Sequence, residues 1–400
     1  MTTERIFHAI GLHMHQPPGN LHLLHEANPW EAEQILRCYE RAVRYAEQYR
    51  DVARLHVSFS GVLLEQLLDP GIVDHYRGCV DIPAMLERYR TATNIEILGT
   101  GYYHPIIPLI PHADWSEQIT LGRTIIEQVF GRAPRGFWPP ELAFSMEMIP
   151  LLTRAGYEYA LVDSVHVRPA DGLNDTLRPY RACHEGLCLT IIPRDRDLSN
   201  AQGHGCNPHW LRDELSWRVA VSPRPDEDRL FVTWSDGENG AWFRQTHEPS
   251  GFFGHFWAPY LEQCRSGEIP VQPILLSDYL DCCRPIAPAH VQTGTWSAHA
   301  SGYDNFLHWV GSDHQRQVLA EIHHLSERYW SLRRLCPVTD HETGQSLTYA
   351  RRQILEAQTS CFLYWGEAWL PYLQARTRAA GQALAEAASR LDGCSSDKAS

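Results

Sequence analysis

Four segments of this 400-residue chain carry side chains able to do chemistry. The first is His13-Met14-His15-Gln16-Pro17-Pro18. Two histidines at i, i+2 on a strand point to the same side, which suits a metal or a polar substrate. The second runs from Glu96 to His104-Pro105. Glu96 alternates with Ile95 and Ile97 and so faces away from them, into the interior if the strand belongs to a barrel. The third is Gly136-Phe137-Trp138-Pro139-Pro140-Glu141, and the fourth Trp234-Ser235-Asp236-Gly237-Glu238-Asn239-Gly240. Carboxylates on separate strand ends, flanked by tryptophan, are what glycosidic bond cleavage uses: one attacks or stabilises an oxocarbenium-like centre, the other protonates the leaving oxygen. Surface ion pairs use the same residue types, so the flanking Trp and the strand-end placement carry the distinction.

Such groups need elements to hold them. Short apolar or alternating runs predict strands at 5–12, 54–59, 94–98, 135–138, 157–162, 188–192 and 229–234, with helical periodicity at 31–50, 61–68, 82–89, 115–130 and 145–155 between them. Strands alternating with helices of this length predict an α/β fold of βαβ units around a parallel sheet, seven strands in all. What ends each strand is His13/His15, Ser60, Glu96 with His104, Glu141, Asp163, Arg194/Asp195 and Asp236/Glu238. In a closed parallel barrel these ends converge on one face, where catalytic groups sit. From about residue 286 the alternation stops. Helical spacing over 315–335 and 347–391, interrupted at Pro371 and Gly381, predicts a helical appendage over 286–392 after a catalytic barrel over 1–285, with a disordered tail at 393–400.

Lys plus Arg number 35 and Asp plus Glu 48, for a net charge of −13. That balance argues against a nucleic-acid partner or an anionic membrane surface. No signal peptide is legible after Met1, and no uncharged apolar run is long enough to span a bilayer. Eleven scattered cysteines without a C-x-x-C pair read as reduced core thiols in a cytoplasmic protein. With 13 Trp and 17 Tyr, aromatic rings are expected outside the core as well, where sugar faces can stack on them.

His15-Gln16-Pro17, Glu96 through Tyr102-Tyr103-His104-Pro105, Gly136 through Glu141, and Asp236-Gly237-Glu238-Asn239 resemble, in order, the characteristic regions of glycoside hydrolase family 57. Residues 296–309 resemble its fifth region, and Arg194-Asp195 with Leu198-Ser199 a stretch of its amylase-like members. The resemblance implies a (β/α)7 barrel with a helical C-terminal part, α-glucan substrates and a retaining mechanism. Carried over by position, Glu141 matches the nucleophile and Asp236 the general acid/base. His15, Glu96, His104 and Glu238 match residues lining the first subsites, and Trp296 and Asp304 fall in the fifth region. His13, Gln16 and Asp195 are expected beside the substrate, and Trp138, Trp234 and Trp296 are expected to wall the cleft, each partly exposed. Glu238 is expected to raise the pKa of Asp236. No cofactor and no metal is required.

The expected reaction is α-1,4-glucan hydrolysis of the α-amylase type. A 4-α-glucanotransferase or a branching enzyme would share the glucosyl-enzyme intermediate, and the chain's length inclines the reading to hydrolysis. A metal-dependent carbohydrate deacetylase would use His13, His15 and His104 as ligands but lacks the aspartate such sites add. A non-catalytic glucan-binding protein fits the aromatic content but not the paired carboxylates.

Overall fold

A computed structural model of the chain describes residues 5–173, 175–224, 227–283, 287–297, 306–337 and 339–397, with side chains through 392. All seven predicted strands are present: β1 (Ile6–Met14), β2 (Leu55–Phe59), β3 (Ile95–Leu98), β4 (Gly136–Phe137), β5 (Tyr159–Asp163), β6 (Leu187–Arg194) and β7 (Arg229–Asp236). They run parallel. β1 pairs with both β7 and β2, and β2 pairs with β3. A Gly99–Phe137 bridge carries the ring to β4, which pairs with β5, and β5 pairs with β6. Between β6 and β7 no ladder forms among the described residues. The seam is crossed by the Asp195 N–H donating to the Val232 carbonyl at 2.8 Å and by the Arg194 Nε donating to the Trp234 carbonyl at 2.7 Å. This is the incomplete (β/α)7 barrel that the sequence implied.

The period-two alternation sorts side chains between two cores. Ile10, Leu12, Met14, Val57 and Phe59 point outward and pack on surrounding helices, with Ile35, Tyr39 and Val43 of the helix Pro29–Gln48 on the other side. Ala9, Leu98, Tyr159, Leu161, Val232 and Trp234 point inward and fill the barrel. Gly11 is required there: a Cβ would lie 2.0 Å from the Trp234 ring, which occupies the space beside it.

The C-terminal part is helical, with Asp313–Leu335, His341–Ala357 and Leu370–Asp397 as its long members. Its chain break differs from the expected one. The interruption falls at 358–369, a short helix Ser360–Tyr364 and a turn, ahead of Pro371. Pro371 sits in the first turn of the last helix, where its missing N–H costs nothing. Gly381 does not interrupt that helix and lies over Leu325 of its neighbour. The helix continues through Asp397, where a disordered tail was expected from 393; residues 398–400 lie outside the described residues. Ala289–Val291, ahead of the helices, pairs antiparallel with Val167–Pro169 of the barrel.

A buried carboxylate helps to fasten the two parts. Asp114, on the barrel helix His112–Phe130, accepts from Ser326 Oγ (2.8 Å), Trp330 Nε1 (2.9 Å), Arg351 Nη1 (2.8 Å) and Gln358 Nε2 (2.6 Å), all from the C-terminal helices.

The expectation of reduced thiols fails at one place. Cys183 and Cys188 face each other in the hairpin formed by Tyr180–His184 and β6, and are disulfide-bonded. Bridges of this kind are uncommon in cytosolic proteins, which weakens the case for a cytoplasmic location. No described helix is long and apolar enough to cross a membrane.

Candidate active site

The C-terminal ends of β1, β4 and β7 surround a cavity of about 450 Å³. His13, His15, Gln16, His104, Glu141, Asp236, Glu238 and Trp296 all line it, as the sequence led one to expect. Strand register sets their level: His13 lies beside Ser58 of β2 on one side and Asp236 of β7 on the other.

Glu141 is positioned by an unusual backbone. Two prolines precede it, and Glu141 itself takes a left-handed conformation (φ 56°), followed by Leu142 at φ 49°. A non-glycine residue held there costs about 1 kcal/mol or more and is found chiefly where function fixes a side chain. The segment 294–296, bridged to Phe144 at Gly294, locks the turn, with the Trp296 N–H donating to the Glu141 carbonyl at 3.1 Å. The Trp296 indole N–H then donates to Glu141 Oε2 at 2.8 Å. Arg194 lies over the same Trp296 ring, 5.2 Å from its centroid.

Three imidazoles form the wall opposite. His104, also left-handed at φ 56°, stacks on His15 with centroids 3.9 Å apart. His13 Nε2 and His104 Nε2 are 2.8 Å apart, His13 Nδ1 meets Ser58 Oγ, and His104 Nδ1 meets Ser360 Oγ, each at 2.8 Å. Burial pulls His13 down to about 3 and His104 well below the usual histidine range. Both rings are therefore neutral, one donates to the other, and the Ser58–His13–His104–Ser360 chain runs in a single direction. His104 Nδ1 is 3.9 Å from Glu141 Oε1.

The carboxyls are coupled. Burial first, then the charge of Asp236, raises Glu141 to about 7 and Glu238 to about 8. Asp236 is raised by burial and held down by the Asn239 amide, which donates to Oδ2 at 2.8 Å, and by Arg194. Burial lifts Asp236, and the repulsion among the three carboxyls is mutual, so the ionisation of one disfavours that of the others. Three carboxyls in one cavity cannot all ionise readily near neutral pH, so acid and base forms coexist there. Glu238 Oε1 accepts from the His15 N–H at 2.8 Å and from Gln16 Nε2 at 3.4 Å, while the buried Oε2 has no hydrogen-bond partner among the described residues.

Four expected substrate contacts are corrected. Trp138 and Trp234 are both 0 % exposed, stacked on each other at 4.9 Å beneath His13. They are the packed floor of the site, and no sugar can reach their faces. Glu96 does point into the barrel but near the opposite, N-terminal end of the strands. There it accepts from the Tyr159 hydroxyl (2.7 Å) and from the Ser277 N–H and hydroxyl (3.0 Å each). Asp195 caps the helix Arg196–His204 through the Leu198 N–H and pairs with Arg218, away from the cavity. Trp309, at the end of the fifth region, is buried among the C-terminal helices. Asp304 lies outside the described residues.

Sequence reasoning missed the lid. The Ser360 N–H donates to the His104 carbonyl at 3.0 Å, bringing the segment 360–369 over the barrel mouth. Cys361, Tyr364, Trp365 and Trp369 then line the cavity, with Cys361 Sγ 3.4 Å from His15 Nε2. Tyr364 and Trp365 are 48 % and 41 % exposed and supply the accessible rings that Trp138 and Trp234 do not. The clue was the aromatic run Tyr364-Trp365 with Trp369 around Gly366, a density that helix packing alone does not need. Among the described residues, no group of three or more His, Cys, Asp or Glu is arranged to hold a metal.

The chain is 24 % identical over 329 residues to alpha-amylase 1 of Dictyoglomus thermophilum, covering 80 % of this chain and 43 % of the amylase. It is 30 % identical over 199 residues to the 4-alpha-glucanotransferase of Thermococcus litoralis, covering 49 % and 27 % respectively. The chain thus spans less than half the length of these relatives. In fold it is similar to a branching enzyme from Thermococcus kodakaraensis, with a TM-score of 0.75 at 16 % identity, covering 96 % of this chain and 90 % of that one. The model of glycosyl hydrolase family 57 matches residues 9–286, more than half of the sequence, and the chain belongs to that family.

Proposed function

We propose that this chain is a retaining α-glucan-active glycosidase that hydrolyses α-1,4 bonds, with Glu141 as nucleophile and Asp236 as general acid/base. The observation that carries the reading is the pairing of these two carboxyls, from the ends of different strands, in one cavity with donor-fixed geometry. Trp296 orients Glu141 Oε2 and Asn239 orients Asp236 Oδ2. In the first step Glu141 bonds to the anomeric carbon, the carbon–oxygen bond breaks, and Asp236 gives its proton to the departing oxygen. In the second, water gives a proton to Asp236 while its oxygen replaces Glu141 on that carbon. A separation of about 5–5.5 Å between the carboxyls belongs to this mechanism. His15 and Glu238 hold the sugar at the reaction centre, with the His13–His104 pair packed behind His15, and Tyr364, Trp365 and Trp369 offer faces to further glucose rings. The barrel over 1–285 supplies the carboxyls, and the region over 286–392 supplies the aromatic faces.

A transferase is the second reading, supported by the likeness to the Thermococcus litoralis glucanotransferase; it uses a sugar hydroxyl in place of water. Products from maltoheptaose and amylose, wild type beside Glu141→Gln, test the proposal. Hydrolysis raises the count of reducing ends. Disproportionation leaves that count constant while making longer chains, and branching introduces α-1,6 bonds. No change in any of these with wild type would refute the proposal.

A further inference from the structure

A second cavity, of about 320 Å³, adjoins the first. The two share Asp236, Asn239, Trp296 and Ser297, but only the larger one touches Glu141. This asymmetry has a chemical meaning that rests on the retaining reading above. A nucleophile must lie against the anomeric carbon, so the space it touches holds the sugar that becomes attached. An acid must lie against the bridging oxygen, so the space bounded by the acid and not by the nucleophile holds what departs.

We infer that the smaller cavity is the subsite for the leaving glucose unit and, in the reverse sense, for the sugar acceptor. Its walls suit a polyhydroxyl ligand. Asn200, Gly203 and His204 stand at i, i+3 and i+4 of the helix Arg196–His204, hence on one face, and all three line the cavity. The Asn200 amide has no hydrogen-bond partner among the described residues. His204 engages only Nδ1, with the Asn200 carbonyl at 2.9 Å, which leaves Nε2 for a ligand. Gly203 adds no side chain, so the space between them stays open. On the opposite wall Arg194 is rigid: Nε donates to the Trp234 carbonyl, Nη1 donates to Asp163, and its face covers Trp296. A glucose unit here has Asp236 at the bridging oxygen and the Asn200–His204 pair at its outer hydroxyls. When an acceptor sugar occupies the same place, its hydroxyl attacks the anomeric carbon, its proton passes to Asp236, and the bond to Glu141 breaks.

The test compares two donors. Maltohexaose must place glucose in this cavity, whereas α-maltosyl fluoride expels only fluoride and needs nothing there. For the double substitution Asn200→Ala/His204→Ala, the ratio of kcat/KM for maltohexaose to that for maltosyl fluoride is expected to fall about tenfold, two hydrogen bonds to uncharged hydroxyls being lost. With maltosyl fluoride as donor and maltose added as acceptor, the share of transfer product falls in the same variant and rises in Asn200→Trp, which adds a stacking face. A ratio within twofold of wild type, whether both activities hold or both drop together, overturns the inference. If wild type releases fluoride yet the ratio does not move, only the subsite is refuted. If wild type acts on neither donor, the retaining reading falls as well.

Discussion

Replacing Asp114 by alanine removes the one carboxylate that four side chains of the C-terminal helices share. Asp114 is fully buried and Arg351 is 4 % exposed, so the variant leaves a guanidinium in the protein interior without one of its two counter-charges. Breaking a buried ion pair from one side costs about 3–5 kcal/mol. Arg351 keeps Glu117, to which its Nε donates at 2.7 Å, and this places the loss near the lower end, about 3 kcal/mol. Asp114→Asn retains an acceptor for Ser326 and Trp330 but not the charge, and is expected to lose about half as much. The consequence reaches the site, because Gln358, bound to Asp114 Oδ2, lies two residues before Ser360 and its contact with His104. Guanidinium denaturation followed by tryptophan fluorescence measures the stability change, and kcat/KM on maltohexaose the effect on the lid. A loss below about 1 kcal/mol for Asp114→Ala would refute the view that this carboxylate clamps the two parts together.

Glu141→Gln is expected to lower kcat at least about 10⁴-fold. With azide and an activated α-glucoside, Glu141→Gly yields an inverted β-azide whereas Asp236→Gly yields a retained product; the opposite pattern would exchange their roles. The nucleophile must be ionised and its pKa is raised to about 7, so activity falls as pH drops through about 7. A kcat/KM profile flat down to pH 5 would contradict this. Trp138→Ala, opening a void in the packed floor, costs about 3–5 kcal/mol in a denaturant melt. Trp365→Ala, on the exposed lid, changes stability by at most about 0.5 kcal/mol but lowers kcat/KM on long malto-oligosaccharides about fivefold. Equal stability losses for the two tryptophans would undo the distinction between floor and lid.

The strands were legible because a buried parallel strand leaves a local mark, a short apolar run bounded by polar ends, and the seven predicted runs correspond to β1–β7. The groups at those ends were legible for the same reason: a residue that terminates a barrel strand is committed to one face of the molecule. His13, His15, Glu141, Asp236 and Glu238 therefore reach a common cavity. Glu96 was placed correctly inside the barrel but at the wrong height, because alternation fixes the side a residue faces and not its level along the axis. Level is set by register between strands distant in sequence, and here by Ser277 and Tyr159 binding Glu96 near the N-terminal end.

Tryptophan beside a carboxylate read as a sugar platform at Trp138 and Trp234, whereas packing buries both. Neighbourhood in sequence says nothing about which of two alternating side chains the core claims. The C-terminal lid was least legible of all. His104 and Ser360 are 256 residues apart, and their hydrogen bond forms only when the C-terminal helices pack on the barrel. By itself the sequence determined the barrel and the strand-end carboxyls that reach its cavity, because periodicity and strand ends are local properties. Tertiary structure alone decided which rings face the cavity and which lie under it, because burial and strand level depend on contacts between segments far apart in the chain.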